Sequence, residues 1–260
     1  MTQPWHPISG GITAPQGFLA AGITAGLKPS GKPDLSLLLA PEGAVCAGTF
    51  TTSLVRAACV DLCAERLHAS GGRARAVLTN SGQANACTGD RGLIDSQRAT
   101  QAMAERLGLS ADEVLICSTG VIGVPIPMNT LLAGLDPLLE ALSPSGGAAA
   151  ASAILTTDLT DKQIALEAEL GGRTVRIGGM AKGSGMIHPN MATMLGYLSC
   201  DAGVPAEVWQ AMVQRAVDRS FNAITVDGDN STNDTYLAFA AGEPLNSEHF
   251  DALEAGLTAV

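Results

Sequence analysis

The amino-acid sequence predicts a layered α/β fold, and three features of the chain indicate it. Short apolar runs of strand length are separated by turn residues, and amphipathic patterns with a helical period occur beside them. Of the 260 residues, 46% are hydrophobic, which is enough for a sizeable core. Aromatic residues make up only 3% whereas glycine occurs 30 times, and small side chains allow close packing of the backbone. These features favour a layered α/β domain over an aromatic-rich binding module or a disordered chain.

Three strands are predicted in the first half of the chain. Leu35–Leu39 is an apolar run that ends just before a turn at residues 41–43. Residues 44–50 form a second run, and residues 76–79 form a third run that ends at Asn80-Ser81-Gly82. The length of these runs and the turn residues at their borders are typical of half-buried or fully buried strands.

Two helices are predicted after these strands. The first covers residues 95–107 and stops at Gly108. Residues 110–113 then form a capping-box pattern, Ser-Ala-Asp-Glu, ahead of the next apolar run. The second helix covers residues 129–142 and is interrupted by Pro137.

The second half of the chain continues the alternation of elements. Residues 143–147 are the best candidate for a loop or linker, and residues 174–177 form a strand that ends at the glycine pair 178–179. Residues 205–219 form a helix that opens with proline and has one apolar face, made of Trp209, Met212, Val213, Ala216 and Val217. Residues 247–260 are also predicted to be helical, and the absence of a stop signal there suggests part of a longer chain.

The charge and the cysteine content argue against several functional classes. The formal net charge is −10 and no basic run occurs, so neither nucleic acid nor an anionic membrane surface is an expected partner. The six cysteines form no Cys-x-x-Cys pair, and Cys59 and Cys63 have only His68 at a ligand spacing, so we expect no metal site. No signal peptide and no apolar stretch of about 18–20 residues is visible, which predicts a cytoplasmic protein with free, buried thiols.

The strongest functional signal is the stretch from Lys182 to Leu195, which reads Lys-Gly-Ser-Gly-Met-Ile-His-Pro-Asn-Met-Ala-Thr-Met-Leu. It places the small residue Ala192 directly before the hydroxyl residue Thr193. A threonine hydroxyl needs a base, and its own α-amine, with a pKa of about 7.7–8.0, supplies one if the chain is cut before it. We therefore hypothesise self-cleavage between Ala192 and Thr193, which makes Thr193 a nucleophile. On spacing alone, a Gly-rich loop before a buried strand is the commoner interpretation.

Two further patches offer partners for such a nucleophile. Thr119 and Gly120 follow an apolar strand, where a hydroxyl and a backbone N–H can point together and form an oxyanion hole. A plain turn at the end of a strand is the simpler interpretation of that patch. Lys182 is either a point charge for the carboxylate of an amino-acid substrate or a solvated lysine.

Two other features carry no catalytic prediction. His188 adjoins a proline on a turn, so a structural or exposed role is expected. Residues 225–234 look like a calcium loop, but an EF-hand loop that starts at Asp227 needs glycine at its sixth position and glutamate at its twelfth. Thr232 and Ala238 stand there instead, so we interpret the stretch as a buried polar turn near the site.

Taken together, these motifs resemble the ornithine acetyltransferase family, the bifunctional glutamate N-acetyltransferases of arginine biosynthesis. The autocleavage signature of that family is similar to the whole stretch 182–195, and its Ser-Thr-Gly-Val-Ile-Gly segment is similar to residues 118–123. The resemblance extends from near the N-terminus to about residue 240, and its further matches are residues 10–18, 30–34, 80–87, 156–158 and 225–235.

The resemblance implies an α/β architecture shared with the DmpA-type aminopeptidases. It also implies that self-cleavage yields an α-chain, residues 1–192, and a β-chain that begins at Thr193 and here covers residues 193–260. The α- and β-chains of this family assemble together, so a hetero-oligomer of the two products is expected. Members of the family are longer, and the part that is absent here normally supplies a substrate-binding Glu and, near the C-terminus, an Asn and a Ser or Thr.

The implied reaction moves an acetyl group from N2-acetylornithine to glutamate through an acetyl-threonine intermediate at Thr193. Thr119 and Gly120 would stabilise the oxyanion, while Thr156 and Lys182 would bind the substrate together with Thr193. Outside the resemblance, a Thr-Thr-Asp sequence at Thr156 is an ordinary helix N-cap pattern. No cofactor is implied, although acetyl-CoA is a candidate second donor. An aminopeptidase or amidase of the same fold and an inactive truncated remnant are the alternative interpretations.

Overall fold

The computed structural model describes residues 5–186 and 194–260, which form two β-sheets flanked by helices. The larger sheet has six strands in the spatial order β1-β7-β8-β9-β10-β4. Its strands are β1 (His6–Ile8), β4 (Val45–Phe50), β7 (Lys162–Leu170), β8 (Arg173–Lys182), β9 (Leu195–Cys200) and β10 (Thr235–Ala240). All neighbours in this sheet are antiparallel except β9 and β10, which run parallel.

The smaller sheet has four strands in the order β2-β3-β5-β6. These are β2 (Leu19–Ile23), β3 (Leu35–Leu39), β5 (Ala76–Asn80) and β6 (Val114–Ser118), of which β5 and β6 are parallel. The helices are α1 (Ala58–Ser70), α2 (Asp90–Leu107), α3 (Met128–Ala133), α4 (Leu135–Glu140), α5 (Gly147–Ala153), α6 (Ala206–Arg219) and α7 (Phe250–Ala259).

The two sheets stack face to face between two layers of helices. Because successive side chains of a strand point to opposite faces, each sheet contributes to two buried clusters. Leu38 of β3 lies in a cluster with Tyr197 of β9, which joins the two sheets. Its neighbour Leu37 lies in a cluster with residues of α1, α2, α3 and α4. Leu198 of β9 packs in a third cluster with Trp209 of α6, so the order of layers is helix, sheet, sheet, helix.

Most elements predicted from local patterns are confirmed. The three strands of the first half are β3, β4 and β5, and Ser110 and Glu113 form the predicted capping box. Helix α2 ends at Leu107, and Gly108 follows in the left-handed conformation with a φ of 69°. Helix α6 buries all the residues of its predicted apolar face, and Pro205 is its N-cap, one position ahead of the helix. The predicted C-terminal helix is present as α7.

Two helix boundaries were predicted wrongly. Helix α2 begins at Asp90 instead of residue 95, because its first residues contain a glycine and the exposed Leu93 and Ile94, which do not follow the pattern of the buried face. The predicted helix 129–142 is two short helices, α3 and α4, which meet at Gly134. Pro137 lies in the first turn of α4, where the missing N–H needs no partner, so the chain breaks three residues before the proline.

Two predictions that rested on glycine-rich stretches were also wrong. The glycines there allow close packing against neighbouring backbone and mark neither a strand end nor a linker. Strand β8 does not end at the glycine pair but runs through it to Lys182. A Cβ at Gly178 would lie 2.1 Å from the Gly11 carbonyl oxygen, so glycine here permits a close approach. The predicted linker 143–147 pairs with β2 through a bridge between Ala20 and Ser143. A Cβ at Gly146 would lie 1.8 Å from the carbonyl oxygen of that alanine.

Two other expectations concern the burial of the cysteines and the presence of membrane-spanning helices. Five of the six cysteines are buried as predicted, but Cys87 is exposed. Within residues 5–186 and 194–260, none of the helices is long and apolar enough to span a bilayer.

Candidate active site

The ends of strands from both sheets meet at one place. Strand β6 ends just before Thr119, and strand β8 ends at Lys182. The Lys182 Nζ donates a hydrogen bond to the Thr119 Oγ1 at 3.2 Å, across 63 residues of sequence. Two of the residues predicted from the resemblance are therefore in direct contact, where the two sheets face each other.

Thr119 and Gly120 carry two hydrogen-bond donors of the kind that an oxyanion site uses. An ammonium group only donates, so Thr119 Oγ1 accepts from Lys182 and keeps its own hydrogen free to donate. The Thr119 N–H bonds to the Asn80 carbonyl at 3.0 Å, whereas the Gly120 N–H bonds to no described residue. A hydroxyl hydrogen and a backbone N–H of adjacent residues thus remain available to an oxygen that becomes negatively charged.

Glycine is required at position 120. Its φ is +127°, a conformation that side chains with a Cβ rarely adopt. A Cβ there would lie 2.5 Å from the carbonyl carbon and oxygen of Gly82. The following Val121 N–H bonds to the same Gly82 carbonyl at 3.2 Å, which holds the turn against residues 80–83. The sequence therefore folds the end of β6 into a turn that a larger residue would displace.

Lys182 is a buried cation with few hydrogen-bond partners among the described residues. Its residue surface is 3% exposed, and among the described residues only Thr119 accepts a hydrogen bond from its Nζ. Burial lowers the pKa of Lys182, while the negative charges of Asp158 and Asp234 act in the opposite direction. A buried ammonium with unused hydrogens is suited to bind an anionic group.

A cavity of about 710 Å³ connects these residues. Thr119, Gly120, Thr156 and Lys182 all line it, so the structure brings together every predicted site residue that it describes. Thr156 is half-buried and starts no helix, which excludes the N-cap interpretation at this position. Ala192, Thr193 and His188 lie outside the described residues, and their predicted roles stay predictions.

Two buried carboxylates that the sequence analysis did not single out flank Lys182. The side chain of Asp158 is fully enclosed, and its Oδ1 accepts from Lys162 Nζ at 2.6 Å and from the Gly183 N–H at 2.8 Å. Burial favours a higher pKa for Asp158, but these hydrogen bonds and the Lys182 charge outweigh it and the pKa is lowered. Asp234 has no exposed surface, and burial raises its pKa to about 7.

Residues 225–235 form the predicted polar turn, which is buried only in its second half. Ser231, Asn233 and Asp234 are buried, whereas residues 225–230 are exposed. The Asn233 Nδ2 donates to the carbonyls of Ala84 and Ser118 at 2.5 and 2.8 Å, so this turn holds the end of β6. The described part of the chain contains no cluster of three or more His, Cys, Asp or Glu side chains that could hold a metal.

Lys28 is a further cation at the cavity that the sequence analysis did not assign. Its Nζ donates to the carbonyls of Pro33 and Leu155 at 2.7 and 2.6 Å, and it lines the same cavity as Lys182. Burial is the main cause that lowers the pKa of Lys28 to about 8. Lys28 lies just before the matched stretch 30–34, and nothing in the local pattern indicates that it lies near the site.

Comparison with solved structures supports the architecture. An ornithine acetyltransferase from Mycobacterium tuberculosis, solved with ornithine, is 42% identical with a TM-score of 0.66, and the match covers 72% of this chain and 98% of that one. The protein ArgJ from Bacillus halodurans is 38% identical with a TM-score of 0.68, and the match covers 74% and 100%. The L-aminopeptidase D-Ala-esterase/amidase from Ochrobactrum anthropi, a variant of the Ntn hydrolase fold, is 14% identical with a TM-score of 0.60 over 99% of this chain and 85% of that chain. The last similarity shows the fold alone, and it confirms the predicted architecture.

Sequence relatives extend the comparison over the whole chain. The arginine biosynthesis bifunctional protein ArgJ of Parasynechococcus marenigrum is 77% identical over 258 residues, which are 99% of this chain and 63% of the relative. The protein of the same name from Prochlorococcus marinus (strain MIT 9313) is 78% identical over 253 residues, which are 97% of this chain and 59% of the relative. The chain thus spans about 60% of the length of these curated relatives. The sequence model of the ArgJ family matches residues 19–260, and the chain belongs to that family.

Proposed function

We propose that this chain is the larger part of an acetyltransferase of arginine biosynthesis, which moves an acetyl group from N2-acetylornithine to glutamate after self-cleavage at Ala192–Thr193. The observation that carries the proposal is the contact between the buried Lys182 ammonium and the Thr119 hydroxyl, beside a Gly120 N–H that bonds to no described residue. The names of the relatives, which refer to arginine biosynthesis and to ornithine acetyltransferase, support the choice of substrates.

The reaction follows from these groups in two halves. The Thr193 hydroxyl oxygen attacks the acetyl carbonyl carbon, and its proton passes to the α-amine of the same residue. Thr119 Oγ1–H and the Gly120 N–H stabilise the negative oxygen of the tetrahedral intermediate. The C–N bond then breaks, and the proton moves from the α-amine to the departing ornithine. In the second half the amine of glutamate attacks the acetyl-threonine ester, and Thr119 and Gly120 again stabilise the negative oxygen. The Thr193 α-amine takes the proton from the attacking amine and gives it to Thr193 Oγ as the C–O bond of the ester breaks, which releases N-acetylglutamate.

The Lys182 ammonium favours the binding of amino-acid substrates, which carry a carboxylate, over neutral amides. Both N2-acetylornithine and glutamate carry an α-carboxylate, and a buried ammonium pairs with such a group more strongly than a solvated one does. Thr156 lines the same cavity and would contact the substrate as the resemblance implies. The volume of about 710 Å³ is in the usual range for small-molecule sites.

The lengths of the solved chains support the cleavage. The two ornithine acetyltransferase-type chains are matched over 98% and 100% of their length, yet they cover only 72% and 74% of the 260 residues here. Those shares are about 187 and about 192 residues, close to the length of the segment that precedes Thr193. We expect the two products to stay together as an α/β hetero-oligomer in the cytoplasm, with acetyl-CoA as a candidate second donor and no other cofactor.

A denaturing gel and a labelled substrate test the proposal together. The wild-type protein, purified at its full natural length, should give two pieces, and the piece that follows the cut should begin at Thr193 by N-terminal sequencing. The Thr193→Ala variant should stay intact. Label from N2-[acetyl-14C]acetylornithine should then appear in glutamate.

Other outcomes separate the alternatives. Label released as acetate at the same rate without glutamate would identify a hydrolase of the same fold. An uncut wild-type chain that transfers no label would identify an inactive remnant.

A further inference from the structure

Lys28 is a second cation in the cavity that Lys182 lines, and the reaction proposed above makes no use of it. Its half-buried side chain is held at the tip, because Nζ donates to the carbonyls of Pro33 and Leu155 at 2.7 and 2.6 Å. An ammonium group has three hydrogens, and the third has no acceptor among the described residues. Lys28 therefore offers one N–H and a positive charge to a ligand in the cavity.

The backbone of Lys28 is also fixed before any ligand binds. Asp34 has no exposed surface, and its carboxylate accepts hydrogen bonds from the N–H groups of Ala25, Leu27 and Lys28 at 2.6, 2.6 and 2.9 Å. One buried carboxylate thus holds the turn, and two carbonyls hold the end of the side chain. Because little freedom is left to lose, an anion that binds to Lys28 costs less ordering than it would at a mobile lysine.

The charges in the cavity favour a ligand with two anionic groups. Burial is the main cause that lowers the pKa of Lys28 to about 8, Asp34 acts in the opposite direction, and the charges of Lys182 and Lys32 lower it further. Since this pKa still lies above neutral pH, most Lys28 side chains are protonated there. One cavity therefore contains two ammonium groups, and glutamate is the proposed substrate that carries two carboxylates.

The contacts of the two lysines indicate which carboxylate each would bind. Lys182 contacts the Thr119 hydroxyl at 3.2 Å, so it lies beside the proposed oxyanion site. The α-carboxylate of glutamate is one carbon from the reacting nitrogen and belongs there. Lys28 bonds instead to the carbonyl of Leu155, just before the cavity residue Thr156. The side-chain carboxylate, two methylene groups farther along the substrate, suits this second cation.

The acetyl donor makes the opposite demand on the cavity, because the side chain of N2-acetylornithine ends in an ammonium group. Lys28 would repel that group. Asp227 and Asp229 line the same cavity from the segment that precedes β10, so acidic side chains lie on another part of its wall. An effect of Lys28 on binding should thus favour the acceptor and give the donor no advantage.

We propose that Lys28 determines the specificity for the acceptor: its ammonium group binds the side-chain carboxylate of glutamate, while Lys182 binds the α-carboxylate. This subsite rests on the acetyl transfer proposed above and deepens it by assigning the choice of acceptor to one residue. It selects a dicarboxylic amino acid over glutamine, which has nearly the same shape but no side-chain charge.

The experiment compares acceptors for the full-length, cleaved protein with N2-[acetyl-14C]acetylornithine as the donor. In the wild type, KM for glutamate should be roughly tenfold or more below KM for glutamine, because only glutamate pairs with the charge of Lys28. Lys28→Met should raise KM for glutamate by roughly tenfold or more and bring it close to that for glutamine, with no rise in KM for acetylornithine. Lys28→Arg keeps the charge and should keep the preference.

The matched control is Lys32→Met, which removes the same charge from an exposed side chain of the same turn that does not line the cavity. It should leave the KM values for both acceptors unchanged. An equal effect of Lys32→Met would show a long-range charge effect and would overturn the subsite. A rise in KM for acetylornithine as large as that for glutamate would show a structural role and would overturn it as well.

Two further outcomes separate the subsite from the proposed function. Equal KM values for glutamate and glutamine in the wild type, or a preference that survives Lys28→Met, overturn the subsite while the acetyl transfer stands. If Lys28→Met does not fold, Lys28→Gln decides by the same measurement, because it lacks the charge but can still donate to a carbonyl. A wild-type protein that transfers no acetyl group overturns the proposed function and the subsite together.

Discussion

The hydroxyl of Thr119 has two tasks in the proposed site, and replacing the residue with valine removes both while it keeps the shape of the side chain. The first task is to donate to the oxyanion, and one such donor lowers the barrier by about 2.7–4 kcal/mol, so kcat should fall by roughly 100- to 1,000-fold. The second task is to accept the 3.2 Å hydrogen bond from Lys182. A hydrogen bond to a charged group contributes about 1.5–3 kcal/mol, so a displaced Lys182 should raise KM roughly tenfold or more.

The assay is transfer of labelled acetyl from acetylornithine to glutamate by the purified full-length protein. Thr119→Ser is the matched control, because it keeps the hydroxyl and should retain most of the wild-type kcat and KM. Thermal unfolding should show that Thr119→Ser is close to the wild type, whereas Thr119→Val should be less stable, because the buried Lys182 ammonium loses its hydrogen bond to Thr119. Wild-type kcat in Thr119→Val would refute the oxyanion role. A Thr119→Ser enzyme as slow as Thr119→Val would show that the hydroxyl is not the relevant feature.

Three further predictions concern neighbouring residues. Gly120→Ala would place a Cβ 2.5 Å from the Gly82 carbonyl at a φ of +127°, so kcat should fall roughly 100-fold through the displaced N–H, as measured in the same assay. Lys182→Met should raise KM for acetylornithine by roughly tenfold or more with a smaller effect on kcat, and equal KM values would contradict carboxylate binding. Asp234→Asn should change the pH dependence of stability in an uncleaved Thr193→Ala background. The pKa of Asp234 rises from 3.8 to about 7 on folding, so its carboxyl group makes the unfolding free energy of the Thr193→Ala parent fall by about 4 kcal/mol as the pH rises through that range. The asparagine variant should lack this fall, and chemical denaturation of both proteins at pH 4 and pH 8 measures the difference.

Local patterns predicted the elements whose sequence preference agrees with their position in the fold. Helix α6 is an example, because its apolar face has a helical period and is buried as a unit. Strand β7 was not predicted, and its sequence Lys-Gln-Ile-Ala-Leu-Glu-Ala-Glu-Leu is rich in good helix formers. It is a strand because it pairs with β1 on one side and β8 on the other, and such long-range pairing overrides intrinsic preference.

The same distinction applies to the site: some of its features can be predicted from the local sequence, and others are visible only in the tertiary structure. Spacing could not predict the contact between Lys182 and Thr119, since it depends on how two sheets stack, and only the resemblance named both residues. Asp158 and Asp234 were missed because short polar runs such as Thr-Thr-Asp usually cap helices or form turns. What distinguishes them is that each is enclosed and has one oxygen without a hydrogen-bond partner among the described residues, and both are properties of the tertiary structure.

The proposed cut lies in the connection between two neighbouring strands of the larger sheet, β8 and β9. This position explains how the chain could be cut there without losing its fold. Strands β8 and β9 are antiparallel neighbours, and Lys182 pairs with Leu195, so residues 183–194 connect two adjacent strand ends. The Gly183 N–H is bonded by Asp158 and the Met194 N–H by Asp234, so both ends of the connection are held independently of the peptide bonds between them. Strand β9 is also paired with β10 along its whole length. Cleavage between residues 192 and 193 would therefore remove one covalent link and leave every strand pairing among the described residues in place. The cut would leave Lys182 on one product and Leu195 on the other, and these two residues stay paired across β8 and β9.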